Sequence, residues 1–215
     1  MLILHVLACI IFSYLIGSIP NSLIIGKVFF KTDVREHGSG NLGGTNTGRV
    51  LGKVAGLSVM ALDQIKAVLA ILLIKLYFTQ FAPEFIIYAI YIASAFLVIG
   101  HCYPIFAKFK GGKAVAATYG ILFITNIYIY LITLAIYTVL LKLTKYVSFG
   151  SITVFFISSL LTLIPFFKQS PFLKVTFNYG YTILIFLIAV FIVIKHRSNI
   201  KRLQKGTESK IKWMG

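Results

Sequence analysis

Apolar runs dominate this chain and set its expected architecture. Five of them, near 3–26, 54–78, 85–107, 148–166 and 177–194, are long enough to cross a bilayer, for which a helix needs roughly 18 residues. A sixth stretch, 113–141, is apolar but carries polar marks at Thr118, Gly120, Thr125 and Asn126. It reads either as one span or as a hairpin of two short ones. Lipid offers no water to satisfy open backbone, so such runs predict helices. The expected fold is all-α, a polytopic integral membrane protein with a single membrane-embedded domain over 1–215.

Composition agrees, with 59% hydrophobic and only 12% charged residues in 215. A soluble domain carries about 25% charge. The balance of 21 basic to 5 acidic side chains would suggest nucleic acid in a soluble protein. In a membrane protein much of it belongs to cytoplasmic loops, so no nucleic-acid partner is expected, and phosphorylated substrates account for the rest.

Charge location also sets the topology. Five Lys/Arg lie in 27–53, three in 108–113, two in 142–145 and seven in 195–212, against one in 75–84 and two in 168–174. The positive-inside rule places the first four groups in the cytoplasm. Groups 108–113 and 142–145 share that side only if 113–141 crosses twice or not at all. Seven transmembrane helices follow (five if 113–141 is re-entrant), with the N-terminus outside and the C-terminus cytoplasmic. "VLAC" at 6–9 faintly suggests a lipoprotein box, but the apolar lead is too short and no charge precedes it. Residues 1–26 read as an uncleaved span. Cys9 and Cys102 form no disulfide or metal pattern.

Four polar clusters then share one membrane face: 36–49, 101–113, 145–151 and 195–208. The first, "EHGSGNLGGTNTGR", contains Gly38-x-Gly40-x-x-Gly43, with Asp63 twenty residues beyond. A dinucleotide fingerprint needs a strand before it and a helix after it; here a membrane span precedes it, and Asp63 lies inside the next. What remains is a glycine-rich loop suited to phosphate oxygens, because glycine lets successive backbone N–H groups close on an anion. In the second cluster Lys110 and Lys113 flank Gly111–Gly112 ahead of an apolar segment, and a helix N-terminus beside lysines is an anion seat. "KGGKAVA" fails as a Walker motif, since Ala follows Lys113. In the tail, His196 and Asn199 share a face if the helix continues, where imidazole and amide can move a proton or orient phosphate. Arg197, Lys201, Arg202 and Lys205 read as headgroup or topology charges. Asp63 with Lys66, inside a span, reads as a structural pair bracing loop 36–49.

Other chemistries find little support. Five scattered acids and no Cys/His spacing leave no metal site. Ser39, Ser148 and Ser151 are candidate nucleophiles without a readable triad. No histidine has Asp five residues on, which argues against the His-x4-Asp acyltransferases. A transporter of phosphorylated metabolites is the main rival reading, though it predicts bases at the midplane and clusters on both faces. A structural anchor would not need the glycine loops.

Together the motifs resemble the bacterial acyl-phosphate:glycerol-3-phosphate acyltransferases, the PlsY family, over nearly the whole chain. "SGNLGGTNTGR" (39–49) is similar to that family's first motif, with Gly44 where alanine is usual. "LDQIKA" (62–67) resembles its LDxxKG stretch, with Ala67 for glycine. "GHCYPIFAKFKGGKAVA" (100–116) looks like the second motif, with Ala114 for glycine. "KYVSFGS" (145–151) and "HRSNIKRLQKGTE" (196–208) resemble the third motif and the tail signature. These departures exchange small residues for small ones.

The resemblance implies acyl transfer from acyl phosphate to the sn-1 hydroxyl of glycerol-3-phosphate, the first step of phospholipid synthesis. The products are 1-acylglycerol-3-phosphate and inorganic phosphate. No cofactor, metal, acyl-CoA or acyl carrier protein is required, and the protein is a monomer of the bacterial plasma (inner) membrane with its site facing the cytoplasm. By the motif match Ser39, His196 and Asn199 are catalytic. Gly40, Asn41, Gly43, Asn46, Arg49, Lys110, Gly111, Gly112, Lys113, Ser148 and Glu208 bind or orient substrate. The base is either His196 or a substrate phosphate oxygen.

Overall fold

The computed structural model describes residues 1–211. The chain divides into two compact units, one covering Met1–Ile124 and the other beginning at Thr125. The first contains α1 (Leu2–Gly17), α2 (Asn21–Phe30), α3 (Gly44–Leu51), α4 (Lys53–Phe81), α5 (Ile86–Cys102) and α6 (Val115–Thr125). The second contains α7 (Ile127–Thr144), α8 (Val147–Leu161), a short antiparallel pair β1 (Gln169–Ser170) and β2 (Val175–Thr176), α9 (Tyr179–Lys195) and α10 (Arg197–Gln204).

Each expected apolar run is helical. By length and composition, four helices among the described residues reach membrane-spanning size: Leu2–Phe30, Lys53–Phe81, Pro83–Ala107 and Ile127–Thr144. A fifth forms if Tyr179–Lys195 is joined to Arg197–Gln204 across a 61° bend, and α6 and α8 are shorter. The run 113–141 is broken at Asn126, whose extended backbone (φ −153°) ends the helical path. Its buried side chain accepts the Ile129 N–H at 3.0 Å, capping α7, and donates to the Phe167 carbonyl at 2.7 Å. The run 3–26 is also interrupted, at Ser18–Pro20 between α1 and α2, because proline lacks the N–H that a continuing helix needs.

In the first unit, α1, α4 and α5 pack together through small residues. A Cβ on Gly17 would collide with the Leu97 carbonyl, and one on Gly100 with the Tyr14 carbonyl. Lipid supplies no hydrophobic drive between helices, so close backbone approach at glycine is what holds them. α4 is polarised to match: Val59, Ala67, Ala70, Ile71, Ile74 and Phe78 face inward, whereas Leu62, Ile65, Leu69, Leu73 and Leu76 stay exposed at helical spacing. α3 docks on α4 by the same device. A Cβ on Gly56 would lie 2.7 Å from Gly48 Cα, and one on Gly44 would lie 2.6 Å from the Gly56 carbonyl as well as meeting Met60. Glycine at 44 therefore suits this contact better than alanine would.

In the second unit α8 packs between α7 and α9. Tyr181 stacks on Phe177 (4.4 Å between centroids) and shares a 2.6 Å hydrogen bond with Thr125.

Candidate active site

The first unit carries two glycine loops that are tied together. In loop 37–43, Gly38 and Gly40 have φ of +61° and +67°, a region open to glycine at little cost. The loop closes on Asn46. That side chain accepts the Ser39 N–H at 2.8 Å and donates to the carbonyls of Val34 (3.0 Å) and His37 (3.2 Å). Asn46 is buried, and its amide is spent on the loop itself. α3 then begins from Gly43 with no side-chain cap, which leaves N–H groups of its first turn for a ligand. Arg49, on α3, is exposed.

Asn41 reaches the second loop, donating to the Gly111 carbonyl at 3.2 Å. Three non-glycine residues there, Lys108, Phe109 and Ala114, have φ between 54° and 62°. A left-handed conformation costs such residues about 1–2 kcal/mol each, and strain of this kind persists where surrounding structure imposes it. The exchange of glycine for alanine at 114 is thus small in size but not conformationally neutral. Gly111 and Gly112 lie hard against His101: a Cβ on either would strike its carbonyl or its ring, and the Gly112 N–H donates to that carbonyl at 3.0 Å. Lys113, half-buried, precedes α6; Lys110 and Ser39 are exposed.

Beneath the loops sits a buried polar group. Asp63 Oδ1 accepts from Asn21 Nδ2 and pairs with Lys66 Nζ, both at 2.9 Å, and lies 3.7 Å from His101 Nδ1. Lys66 also donates to the carbonyls of Gly17 (3.0 Å) and Ile19 (2.9 Å). Those carbonyls are left over where α1 ends, so the cation satisfies a helix C-terminus. A small cavity is lined by Asn21, Leu42, Asp63, Lys66, His101 and Gly111. Asp63 and Lys66 hold the α1–α2 break and, through His101, stand under the second loop; Leu42, from loop 36–49, borders the same cavity.

The second unit gathers three further residues around Glu208. Its Oε1 accepts from Ser148 Oγ at 2.9 Å and from Asn199 Nδ2 at 2.6 Å, and its Oε2 accepts from Arg202 Nε at 2.7 Å. Burial by itself would push the Glu208 carboxyl up, but the hydrogen bonds from Asn199, Arg202 and Ser148 outweigh it and hold the group below the usual carboxylate range. Because Asn199 donates through its amide nitrogen, its Oδ1 is presented as an acceptor. His196 sits at the α9–α10 bend, so the helix does not continue straight between it and Asn199. His196 Nδ1 lies 2.8 Å from the Ile192 carbonyl. A carbonyl only accepts, so Nδ1 carries the proton of the neutral ring and Nε2 the lone pair.

The structure thus collects the sequence-derived residues into two groups. Ser39, Gly40, Asn41, Gly43, Asn46, Arg49, Lys110, Gly111, Gly112 and Lys113 belong to the glycine loops and α3; Ser148, His196, Asn199 and Glu208 belong to the second unit. Sequence reasoning gave no site role to Asn21, His101 or Arg202. Arg202 had a readable signal, since it follows Asn199 by three residues on one helical face. His101 had none, because its contact with Gly112 is tertiary.

Comparison with known proteins decides the family. A sequence profile described as glycerol-3-phosphate acyltransferase matches residues 7–206. The glycerol-3-phosphate acyltransferase of Bacillus subtilis is 42% identical over 206 residues, covering 95% of this chain and 97% of that protein. That of Geobacillus kaustophilus is 40% identical, covering 96% of each. The chain belongs to the glycerol-3-phosphate acyltransferase family. Its fold is similar to the crystal structure of PlsY, an integral membrane glycerol 3-phosphate acyltransferase, in its glycerol 3-phosphate form. The TM-score is 0.82 at 30% identity, over 96% of both chains. A lysophosphatidic acid form of PlsY matches with a TM-score of 0.78. The protein is accordingly a multi-pass membrane enzyme, an acyltransferase, and the transporter reading falls.

Proposed function

We propose that the protein moves an acyl group from acyl phosphate to the sn-1 hydroxyl of glycerol-3-phosphate. The hydroxyl oxygen bonds to the acyl carbon, the carbon–oxygen bond to phosphate breaks, and lysophosphatidate and inorganic phosphate leave. Both substrates carry phosphate. The observation that carries the reading is the joining of two glycine loops through Asn41 and Gly111: the first loop leads into α3, which bears Arg49, and the second into α6, which Lys113 precedes. Acyl phosphate is already activated, so the enzyme supplies positioning and charge stabilisation rather than a covalent nucleophile.

In this reading Ser39, Gly40, Asn41, Gly43, Lys110, Gly111 and Gly112 line phosphate, Arg49 and Lys113 carry most of the charge, and Asn46 fixes the loop. Two groups can accept the hydroxyl proton: a donor phosphate oxygen and His196 Nε2. The Nδ1–Ile192 hydrogen bond favours His196. Asn199 Oδ1 accepts from the acceptor hydroxyl, with Ser148 and Glu208 fixing its amide. Seven crossings place the N-terminus outside and the C-terminus in the cytoplasm of a bacterial cell; the helix break at Asn126 and the basic loops support this. The chain works as a single-domain monomer in the plasma (inner) membrane.

The test mixes purified protein with palmitoyl phosphate and labelled glycerol-3-phosphate, omitting CoA and carrier protein. Lysophosphatidate and phosphate should appear one to one. Failure to form product, or product from palmitoyl-CoA alone, overturns the donor assignment.

A further inference from the structure

We propose that His101 is a positioning residue for the phosphate loop 110–114, acting from beneath Gly111 and Gly112, with its ring set against the buried Asp63–Lys66 pair. The proposal rests on the reading of that loop as a phosphate seat. Three independent contacts carry it. The Gly112 N–H donates to the His101 carbonyl at 3.0 Å. The space where a Gly112 side chain would begin is filled by the His101 ring, Nε2 foremost. On the far side, His101 Nδ1 faces Asp63 Oδ1 at 3.7 Å, with Lys66 and Asn21 each 2.9 Å from that oxygen.

The ring is therefore a spacer between a fixed charge group and a mobile kind of backbone. Glycine pairs hold no shape of their own, since they populate left- and right-handed regions alike. Here the flanking Phe109 and Ala114 are held at φ of 59° and 62°, so something outside the loop must impose its path. The backbone bond from Gly112 survives any substitution at 101. What a substitution removes is the ring, and with it the floor beneath Gly112 and the link to Asp63. His101 touches no substrate in this scheme; it acts through the position of Gly112 and Lys113.

The test is a double-mutant cycle read as kinetics. In the first arm, His101→Ala should raise KM for the phosphate substrate that Lys113 holds by roughly tenfold, with KM for the other substrate within about twofold, because displacing a binding loop costs binding before chemistry. His101→Asn, which keeps a polar group of intermediate size, should recover part of the loss. In the second arm, Gly112→Ala should impair the enzyme by driving a methyl into the ring. Gly112→Ala combined with His101→Ala should outperform Gly112→Ala alone, since the deleted ring makes room for that methyl. Lys113→Ala, measured in parallel, identifies which KM belongs to the loop.

If Lys113→Ala leaves both KM values unchanged, the loop is not a phosphate seat and the functional reading fails. If Lys113→Ala acts but folded His101→Ala keeps native KM values, or the double variant is no better than Gly112→Ala, the positioning role of His101 is overturned while the loop assignment stands. Should His101→Ala fail to fold, the same decision is read from His101→Asn with and without Gly112→Ala.

Discussion

Removing the Glu208 carboxylate isolates the hydrogen-bond hub of the second unit. Three donors converge on it: Ser148 Oγ, Asn199 Nδ2 and Arg202 Nε. An unsatisfied buried donor costs about 1–3 kcal/mol. In Glu208→Ala, Arg202 is the cheapest loss, because its side chain is 42% exposed and turns to water, as surface ion pairs contribute little. Ser148, second residue of α8, has no turn of that helix behind it whose carbonyl its hydroxyl could reach. It and the buried Asn199 therefore both lose their acceptor, and the total comes to roughly 2–4 kcal/mol. Glu208→Gln keeps an acceptor for Asn199 and Ser148 and turns its amide nitrogen on Arg202 alone, costing about 1 kcal/mol. Thermal unfolding in detergent at pH 7 should rank the native protein above Glu208→Gln and Glu208→Gln well above Glu208→Ala. The sign with pH is fixed as well. The folded pKa of Glu208 lies below its unfolded value, so its contribution is fully present above about pH 4.3 and is lost as pH falls through the folded pKa. The gap between native protein and Glu208→Gln should therefore close in acid. Equal stability of Glu208→Ala and Glu208→Gln at pH 7, or a gap that widens in acid, would refute this account.

Other outcomes follow from the same geometry. Gly100→Ala should destabilise by about 1–3 kcal/mol, visible as an earlier unfolding midpoint, because its methyl meets the Tyr14 backbone rather than a side chain that can move. Asp63→Leu should cost about 3–5 kcal/mol by leaving Lys66 charged without its partner, and Asp63→Leu with Lys66→Met should be milder, since replacing a whole buried pair is often neutral. His196→Ala should lower kcat by roughly 10²–10⁴ while the protein stays folded; near-native turnover with an unchanged pH profile would hand the proton to a substrate phosphate.

Much of this architecture can be read from hydropathy. Each apolar run becomes helical over most of its length, though α5 stops at Cys102 and α8 at Leu161, and the polar mark at Asn126 is where 113–141 breaks, because a buried amide there must find partners that only a helix end offers. The interruption at Ser18–Pro20 was less visible, since the run around it stays apolar and only Pro20 betrays the break. Within the site, residue types and motif order brought out the glycines and the tail pair. The supports escaped. His101 is one histidine among four, and nothing in its spacing announces that its ring lies under Gly112. Asp63 and Lys66 stood out as charges in a span, yet their partners, the carbonyls that end α1, are distant in sequence and carry no side-chain signature.

The placement of glycine explains why a positioning enzyme can be assembled in lipid. Gly44, Gly48 and Gly56 let α3 lie directly on α4, so the start of α3 is as rigid as the long helix under it. Asn46 then fastens loop 37–43 by three hydrogen bonds, and Asn41 fastens the next loop to it. N–H groups aimed this way need no reorganisation when charge develops on a leaving phosphate, which is where preorganised dipoles accelerate most. The consequence is an unusual sensitivity. A methyl at Gly56, remote from any reacting atom but driven into the Gly48 backbone 2.7 Å away at the α3–α4 contact, should damage turnover on the scale of losing Arg49, whereas substitutions on the exposed Leu62, Ile65 and Leu69 should leave it untouched.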